Sequence, residues 1–483
     1  MFEVVIIGSG FSGICAAINL QRLGIDNYIM LERNEALGGT WWRNSYPGAA
    51  VDVPSILYSF SFEPYDWSRN FAKQDELLEY TRFVIEKYGL REKAKTNAEV
   101  VEMRYNEAAG SWKLRTKEGQ SYECDSVING AGGLSQPKIP ELPALDQFRG
   151  KCMHTGLWDH DYDYKGKRIA VIGTGASAVQ CIPELAKEAK QLCVFQRTPH
   201  WMLPRPDRKL KSIERKLRKI PWVNKFMRNS LYWGFEWRII GFRYCPAILR
   251  WLPQRQATWH LKKRIKDSEF RKQLTPDYTI GCKRILLCSD YYPSLTKDNV
   301  RLLDKTVGIK QFNERGIETI QGEKLEFDLV VFATGFHASE NNIPFPIIGR
   351  DGRSLEEEWD NGAHAFLGVT VPGFPNFYIV PGPNSGIGHT SQIFMIECQL
   401  DYVRELLKAK KERGLKSIEV KREVEEEYNQ KIQADLAKTV WQTGGCESWY
   451  QREDGKNTTL YPRFTWQYRR DCQAAKLEDH LLE

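Results

Sequence analysis

The sequence predicts an α/β fold with two Rossmann-like dinucleotide-binding domains and a helical insertion in the second domain. Two segments, 2–33 and 167–199, each have the pattern of an apolar strand, a glycine-rich turn, a helix and a second strand. Two further segments, 124–133 and 327–336, share an Asp, an apolar run and a Gly seven residues after the Asp. Residues 201–280 interrupt the alternation of strand and helix, so we expect the insertion there.

The first glycine turn contains Gly8, Gly10 and Gly13 in the pattern G-x-G-x-x-G. Gly8 permits the tight turn, Gly10 lets the backbone approach a pyrophosphate, and Gly13 lets helix and strand pack closely. Glu32 ends the next strand, where a carboxylate accepts hydrogen bonds from ribose hydroxyls. This segment therefore predicts a dinucleotide site.

The second turn has the pattern G-x-G-x-x-A, and the strand that follows its helix ends near a residue of the opposite charge. Arg197 lies 24 residues after Gly173, as Glu32 lies 24 residues after Gly8. A carboxylate there repels a 2′-phosphate and a guanidinium pairs with it, so we predict FAD at the first turn and NADPH at the second. A solvated surface arginine is the alternative interpretation of Arg197. The predicted NADP contacts near this turn are Gly173, Thr174, Gly175, Ala176, Ser177, Gln180, Arg197 and Thr198.

The predicted domain organisation is discontinuous. Its segments are 1–145 and 336–483 for the FAD-binding domain, 146–200 and 281–335 for the NADP-binding domain, and 201–280 for the helical insertion. The insertion is basic and aromatic, which favours packing against the active site but is also compatible with peripheral contact with a membrane surface. Residues 391–440 are predicted to form two charged amphipathic helices with solvated faces.

Composition excludes several classes of protein. A net charge of +7 over 483 residues is too diffuse to indicate nucleic-acid binding. The 11 cysteines include no Cys-x-x-Cys pair, which predicts reduced thiols in an intracellular protein and argues against dithiol redox chemistry. An apolar strand begins at residue 2 and no long apolar run follows, so we expect a cytoplasmic chain without signal peptide or transmembrane segment.

Two longer motifs resemble those of a known family. The segment "FRGKCMHTGLWD" matches the fingerprint of type I Baeyer–Villiger monooxygenases through Phe148, Gly150, His154, Trp158 and Asp159. The segment "GGTWWRNSYPGAAVD" matches a second motif of this family through Gly38, Gly39, Trp41, Tyr46, Pro47, Gly48 and Asp52. With the two glycine turns in the same order, the resemblance covers nearly the whole chain and is weakest in 201–280 and 391–445.

The resemblance implies an enzyme that uses FAD, NADPH and O2 to insert one oxygen atom beside a ketone carbonyl, giving an ester or lactone. In the family NADPH reduces the flavin, O2 adds at the flavin C4a position, and the peroxyflavin attacks the ketone. Sulfoxidation is an expected side activity. The alternatives are a flavin-containing N/S-monooxygenase and an uncoupled NADPH oxidase or redox-sensing flavoprotein.

The resemblance also assigns roles to charged residues. A peroxyanion is best stabilised by a fixed cation that does not titrate, which indicates arginine. Arg284 matches the family arginine with this role, Lys283 a lysine near the NADP 2′-phosphate, and Asp52 a carboxylate that pairs with the arginine and orients the nicotinamide amide. Without the resemblance, Lys283 and Arg284 would be an ordinary basic pair before a strand.

His154 has no second ligand at metal-ligand spacing, so no metal site is predicted. The family places this motif at the interdomain junction, and we expect His154 to act as a hinge residue that hydrogen-bonds across the interface. Proton transfer in catalysis and a plain buried core histidine are the alternatives.

Further contacts are implied by position in the family motifs. The expected FAD contacts, besides the first glycine turn and Glu32, are Gly39, Thr40, Trp41, Asp52, Tyr58 and Gln392. Trp449 matches a tryptophan on a mobile loop that reaches the NADP ribose and the substrate, although a core tryptophan is the alternative. The ketone remains open among cyclic, linear, aromatic and steroid types, with a lean to long or lipophilic ones, and we expect a monomer or weak oligomer.

Overall fold

The structure, a computed structural model, describes residues 1–337 and 343–483. The strands in the described residues are β1 (Phe2–Ile7), β2 (Tyr28–Leu31), β3 (Ala94–Lys95), β4 (Val100–Asn106), β5 (Ser111–Thr116), β6 (Ser121–Asn129), β7 (Lys151–His154), β8 (Arg168–Ile172), β9 (Gln191–Phe195), β10 (Met202–Leu203), β11 (Leu286–Leu287), β12 (Val300–Leu303), β13 (Ile309–Asn313), β14 (Gly316–Thr319), β15 (Lys324–Glu326), β16 (Leu329–Phe332), β17 (Ile347–Ile348), β18 (Phe377–Ile379), β19 (Ile418–Val420) and β20 (His480–Leu482). The α-helices in the same part of the chain are α1 (Phe11–Arg22), α2 (Thr40–Arg43), α3 (Gln74–Lys87), α4 (Ala176–Glu188), α5 (Ser212–Arg218), α6 (Pro221–Glu236), α7 (Pro246–Trp251), α8 (Pro253–Arg264), α9 (Ser268–Gln273), α10 (Tyr291–Leu295), α11 (Leu355–Glu358), α12 (Gln392–Arg413), α13 (Arg422–Leu436), α14 (Val440–Thr443) and α15 (Thr465–Ala474).

Two large sheets organise the molecule. In the first, the strands follow the order β17-β4-β5-β6-β1-β2-β3, with β18 also paired to β6. In the second, they follow the order β12-β9-β8-β16-β7, and every pairing is parallel. Its central strands are continuous apolar runs because both faces are covered, one by α4 and α10 and the other by β13 and β14. The predicted α/β class is confirmed.

The repeated Asp–apolar–Gly segments occupy equivalent places in the two sheets. The strand β6 pairs with β1 in parallel, and β16 pairs with β8 in parallel. Each of these strands therefore ends beside the glycine turn that follows the first strand of its own βαβ unit. The internal similarity seen in the sequence reflects two copies of one architecture.

Two linkers run side by side between the sheets. The backbone N–H of Lys138 donates to Gly335 over 2.9 Å, and that of His337 donates to Gln136 over 3.0 Å. Pro137 and Phe336 form an antiparallel bridge between these bonds. The outgoing and returning chains thus form a short two-stranded connection.

The predicted insertion is helical, as expected from its pattern. After β10 it contains α5 to α9 and a π-helix at Ile240–Tyr244. Two helices, α12 and α13, lie in 391–440 as the pattern predicts, but α12 is buried more deeply than its charged composition suggests. Half of its residues are buried where it packs against α1 and α15, and its polar residues are concentrated near its C-terminal end.

Candidate active site

Asp52 and Arg284, which are 232 residues apart in sequence, form a bidentate ion pair. The Nε of Arg284 donates to Oδ2 of Asp52 over 2.6 Å, and Nη2 donates to Oδ1 over 2.7 Å. The two side chains lie deep in the protein, yet 36% of the Arg284 and 27% of the Asp52 side-chain surface is exposed. The pair therefore faces an internal cleft.

The electrostatics keep both groups ionised. Burial by itself would raise the pKa of Asp52, but the charge and hydrogen bonds of Arg284 outweigh it and lower that pKa below its ordinary value. The carboxylate of Asp52 in turn raises the pKa of Arg284. Arg284 is thus a fixed cation, suited to stabilising a developing anion in the cleft.

Two residues beside this pair were missed by sequence reasoning. The guanidinium of Arg205 donates to the Val51 carbonyl, and its charge also lowers the pKa of Asp52. Burial raises the pKa of the Tyr450 phenol to about 12, and both Arg284 and Asp52 influence it electrostatically. No local motif marks either residue, since each reaches the pair from a different loop.

The first glycine turn brings backbone segments close together, because the residues that meet there have no side chains. A Cβ on Gly8, whose φ is +90°, would lie 2.7 Å from the Gly130 carbonyl oxygen. A Cβ on Gly39, whose φ is +56°, would lie 2.5 Å from the Cα of Gly10. Gly10 precedes α1 and Gly13 lies buried in its first turn. This cradle of backbone at a helix N-terminus fits a pyrophosphate.

Glu32 lies where the sequence predicted, but its carboxylate is already engaged. Oε2 accepts from the Ser9 backbone at 2.9 Å and the Ser9 hydroxyl at 2.6 Å, while Oε1 accepts from the backbone and side-chain nitrogens of Asn34 at 2.9 and 2.6 Å. A carboxylate has about four accepting positions. A ribose hydroxyl would therefore have to replace one of these donors.

Aromatic rings line the space next to the first turn. Thr40 begins α2, and the ring of Trp41 meets that of Tyr58 edge to face, with centroids 5.7 Å apart. Burial raises the pKa of Tyr58 to about 12. Within the described residues, the buried indole nitrogen of Trp41 makes no hydrogen bond of normal geometry, although Trp41 is close enough to the Tyr58 phenol to lower its pKa slightly against the effect of burial. An unsatisfied buried donor beside aromatic rings fits a planar heterocycle with acceptor atoms.

The start of α12 offers further polar atoms. Gln392 begins this helix and its side chain donates to the Ser385 carbonyl over 3.1 Å. Just before it, the hydroxyls of Thr390 and Ser391 are buried and have no partner among the described residues. These atoms, like Trp41, fit the presence of a polar group such as the flavin.

The second glycine turn repeats the geometry of the first. A Cβ on Gly173, whose φ is +110°, would lie 2.5 Å from the Ala333 carbonyl oxygen. Apart from Gly175 itself and its two chain neighbours, no heavy atom of the described residues lies within 4 Å of the Cβ position of Gly175, so the N-terminus of α4 at Ala176 opens to free space. The Thr174 hydroxyl donates to the Thr198 carbonyl over 3.0 Å and holds the turn against the end of β9.

Gln180 contacts the other domain rather than free space. Its Oε1 accepts from the Tyr46 hydroxyl at 2.8 Å, and its Nε2 donates to the Ala50 carbonyl at 3.0 Å. The Ser177 hydroxyl lies close to the same Tyr46 phenol. The contact of Gln180 and Ser177 with NADP stays a prediction, and the structure adds a role in joining α4 to the 46–50 segment.

Arg197 and Lys283 form a cationic site at the end of β9. Burial and the nearby charge of Arg197 lower the pKa of Lys283, although Glu447 and Asp277 partly oppose this. The Lys283 ammonium lies 5.2 Å from the centre of the Tyr278 ring. Two cations that destabilise each other fit an anionic ligand between them, such as the 2′-phosphate of NADP.

His154 is buried at the junction of the linkers. Its Nδ1 accepts from the Gly156 backbone at 3.0 Å, which leaves the proton on Nε2, and its ring packs edge to face on Phe336. Within the described chain Nε2 makes no hydrogen bond of normal geometry, although the Gly335 backbone is close enough to favour the protonated ring. The guanidinium of Arg43 on α2 bonds the Gly156 carbonyl over 3.3 Å. The fingerprint thus touches the returning linker and the first domain.

We expect His154 to show no titration in the pH range of activity. Burial, with a smaller contribution from the charge of Arg43, lowers its pKa to about 4, so the ring is neutral from pH 6 to 9. His154→Gln should lower kcat/KM for NADPH by about 10-fold to 100-fold by disturbing the junction. The pH profiles of the variant and the wild type should run parallel. If the variant lost an inflection present in the wild type, His154 would be a proton-transfer group instead.

The loop with Trp449 is tied down by a disulfide. Cys282 and Cys446 are bonded, so the expectation that all 11 cysteines are reduced was wrong for this pair. Their separation of 164 residues hides the pairing from sequence reasoning. Trp449 itself is 45% exposed, whereas its neighbour Tyr450 is buried near Arg284. The predicted contact of Trp449 with NADP stays a prediction.

Thiol titration should reveal this bond. The structure gives free thiols to nine cysteines in its described part, and the chain has 11. Protein denatured without reductant should react at nine thiols, and at 11 after reduction. Cys282→Ser and Cys446→Ser should each give ten thiols under both conditions, and 11 thiols in the unreduced wild type would contradict the pairing.

Comparison with known proteins decides the family. Residues 5–220 match the family described as pyridine nucleotide-disulphide oxidoreductase. A Baeyer–Villiger monooxygenase of Pseudomonas aeruginosa is 46% identical over 473 residues, covering 97% of this chain and 89% of that protein. The chain belongs to the Baeyer–Villiger monooxygenase family. The predictions of fold, enzyme class and function, with FAD and NADPH as cofactors, are confirmed.

Solved structures of Baeyer–Villiger monooxygenases share the whole architecture. The closed form of cyclohexanone monooxygenase is 28% identical, with a TM-score of 0.91, over 100% of this chain and 99% of that one. The OTEMO complex with FAD and NADP is 25% identical, with a TM-score of 0.90 and the same coverage. Within residues 1–337 and 343–483, no helix is long and apolar enough to cross a membrane.

Proposed function

We propose that the Asp52–Arg284 pair is the catalytic centre of this Baeyer–Villiger monooxygenase and that its substrates are apolar ketones. One observation supports the first part most strongly: a bidentate ion pair, ionised and partly open, faces the cleft. The two glycine turns supply dinucleotide cradles of the kind the family requires.

When bound, FAD and NADPH would supply the redox chemistry by which one atom of O2 is transferred to the ketone. Arg284 supplies a permanent positive charge beside the reacting oxygen atoms, where it keeps an anion from taking up a proton. Asp52 holds the guanidinium fork in one orientation and presents carboxylate oxygens to the nicotinamide amide. Arg205 reduces the repulsion between that carboxylate and a nearby developing anion.

The second domain binds and orients NADPH. Arg197 and Lys283 pair with the 2′-phosphate, and the open N-terminus of α4 receives the pyrophosphate. His154 couples this domain to the first through the linkers and the 154–156 turn, which contacts Arg43. This makes His154 a positioning residue.

A cavity beside the site supports ketones larger than cyclohexanone, the substrate named in one relative. The cavity measures about 970 Å³ and is lined by Leu57, Thr390 and Ser391, which neighbour the expected flavin contacts Tyr58 and Gln392. Neither Asp52 nor Arg284 is among its lining residues. Its lining combines apolar residues such as Leu57 and Phe394 with charged ones such as Arg228 and Glu397, and we propose that the apolar part receives the remote chain of a ketone whose carbonyl lies at the ion pair.

A product screen tests this function. Purified protein with bound flavin is given NADPH, O2 and cyclohexanone, a long-chain methyl ketone, an aryl ketone or an aryl methyl sulfide. We expect esters or lactones, with the long-chain and aryl ketones preferred, and sulfoxide as a side product. Sulfoxide without any ester would favour an N/S-monooxygenase, and hydrogen peroxide alone would favour an NADPH oxidase. The cytoplasmic location and the monomeric or weakly oligomeric state stay predictions.

A further inference from the structure

The solvent side of α6 carries a stripe of large apolar residues. Trp222, Phe226, Trp233 and Trp237 recur at spacings of four and seven residues, which places them on one side of the helix. Trp222 is 72% exposed, Phe226 68% and Trp237 60%. The opposite side of α6 is also apolar and packs on Ile56 and its neighbours. A helix that is apolar on its solvent side needs a partner there.

Neighbouring helices extend this stripe. On α5, Ile213 and Leu217 are exposed one turn apart, and Trp251, Leu252 and Trp259 are exposed on and beside α7 and α8. Of the 22 large apolar residues that are exposed in the described part of the chain, 12 lie between residues 213 and 259. The exposed residues of this segment are called the outer helical face below.

The same segment concentrates positive charge. Residues 208–266 contain 17 Lys and Arg and two Asp and Glu, a net charge of +15, whereas the whole chain carries +7. The remainder of the chain is therefore net negative. Several cations of the segment are exposed, among them Lys216, Lys225 and Lys262. A surface of this kind complements an anionic partner and repels a second copy of itself.

We infer that the outer helical face docks on the surface of an anionic phospholipid bilayer. Tryptophan rings suit the boundary between lipid headgroups and acyl chains, where one end of the ring is apolar and the other wet. Lys and Arg beside them pair with lipid phosphates. The helices lie along the surface, because no helix in the described chain is apolar enough to span it.

Docking would place the enzyme beside its substrate. The 970 Å³ cavity is lined by Trp233 and Lys225 of the outer helical face and also by Leu57 and Thr390 near the expected flavin contacts. It therefore lies between the bilayer surface and the site. This step rests on the proposed function: long apolar ketones dissolved in the bilayer would enter through this cavity.

Vesicle binding tests the docking independently of catalysis. Flavin-loaded protein is sedimented with phosphatidylcholine vesicles that contain or lack phosphatidylglycerol. We expect binding at least about tenfold tighter to the anionic vesicles, weakening as salt is added. A triple variant, Trp222→Ser, Phe226→Ser and Trp237→Ser, should lose at least about tenfold in affinity. Ile139→Ser with Ile320→Ser, exposed elsewhere, is the matched control and should bind as the wild type does.

Three outcomes would overturn the inference. The wild type does not bind anionic vesicles, the triple variant binds them as tightly as the wild type does, or the triple substitution changes only self-association, as measured by sedimentation equilibrium. A second arm measures oxidation of cyclohexanone in buffer and of a long-chain ketone in vesicles. The triple variant should keep the first activity and lose most of the second. If the triple variant lost vesicle binding but kept both activities, delivery of the ketone from the bilayer would be rejected. If the wild type had neither activity, the proposed function would be rejected, and the inference of docking would be unaffected.

Discussion

Replacing Arg284 by alanine should remove nearly all ester formation from ketones while NADPH still reduces the bound flavin. The variant removes a fixed, oriented charge from the cleft, and such a charge lowers the barrier by stabilising the developing anion. The expected loss in ester formation is about 10³-fold, and the consumed NADPH should appear as hydrogen peroxide. Stopped-flow reduction of the flavin and product analysis separate the two half-reactions.

Two variants serve as controls for Arg284. Arg284→Lys keeps the charge but not the bidentate contact with Asp52, so it should retain a small part of the ester-forming activity. Asp52→Asn keeps the shape but leaves Arg284 without its counter-ion, so both NADPH affinity and ester formation should fall. If Arg284→Ala formed ester at a rate near that of the wild type, the ion pair would be structural only.

Neutralising Arg197 and Lys283 should change the choice between NADPH and NADH. Each is proposed to pair with the 2′-phosphate, and a charge-assisted hydrogen bond contributes about 1.5–3 kcal/mol. Arg197→Ala and Lys283→Ala should therefore each raise KM for NADPH by about 10-fold to 100-fold. KM for NADH, which lacks the phosphate, should change by less than about threefold. Steady-state kinetics with both nucleotides measures this.

A lysine at the other end of the same helix provides the control. Lys190 is exposed just after α4, away from the glycine turn, and Lys190→Ala should leave both KM values unchanged. The pKa of Lys283 is lowered by burial and by Arg197, so Arg197→Ala should also raise it. Equal losses with NADPH and NADH would mean that the two cations support the fold of the domain instead of selecting the phosphate.

The nucleotide-binding halves were predictable because their signals are local. Gly8 and Gly173 lie in turns where a side chain would collide with a carbonyl of the adjoining strand, so only a few residues around each turn define it. The difference in charge between Glu32 and Arg197 is also a local signal, because each residue lies at the end of a single strand. These features need no knowledge of distant contacts.

The proposed catalytic pair came from resemblance rather than from the residues alone. Asp52 and Arg284 lie in separate loops, and 232 positions of chain separate them, so no periodicity links them. Arg205 and Tyr450, which touch the same site, had no motif and were missed. Long-range packing decides such contacts.

One error and one feature that the sequence did not reveal have the same physical origin. The Cys282–Cys446 bond depends on a contact between a strand-entry loop and a C-terminal loop, which cysteine spacing does not encode. The burial of α12 depends on its position against α1 and α15, whereas its charged C-terminal half suggested a solvated face. In both cases local composition was outweighed by the tertiary fold.

The most direct test of the account is oxygen transfer from isotopically labelled O2. The flavin-loaded enzyme is given NADPH, a long-chain methyl ketone and O2 enriched in oxygen-18, and the products are examined by mass spectrometry. We expect ester with one labelled oxygen atom, close to one ester per NADPH consumed, and almost none with Arg284→Ala. Unlabelled ester, or consumption of NADPH that yields only hydrogen peroxide with every ketone tried, would contradict the central claim.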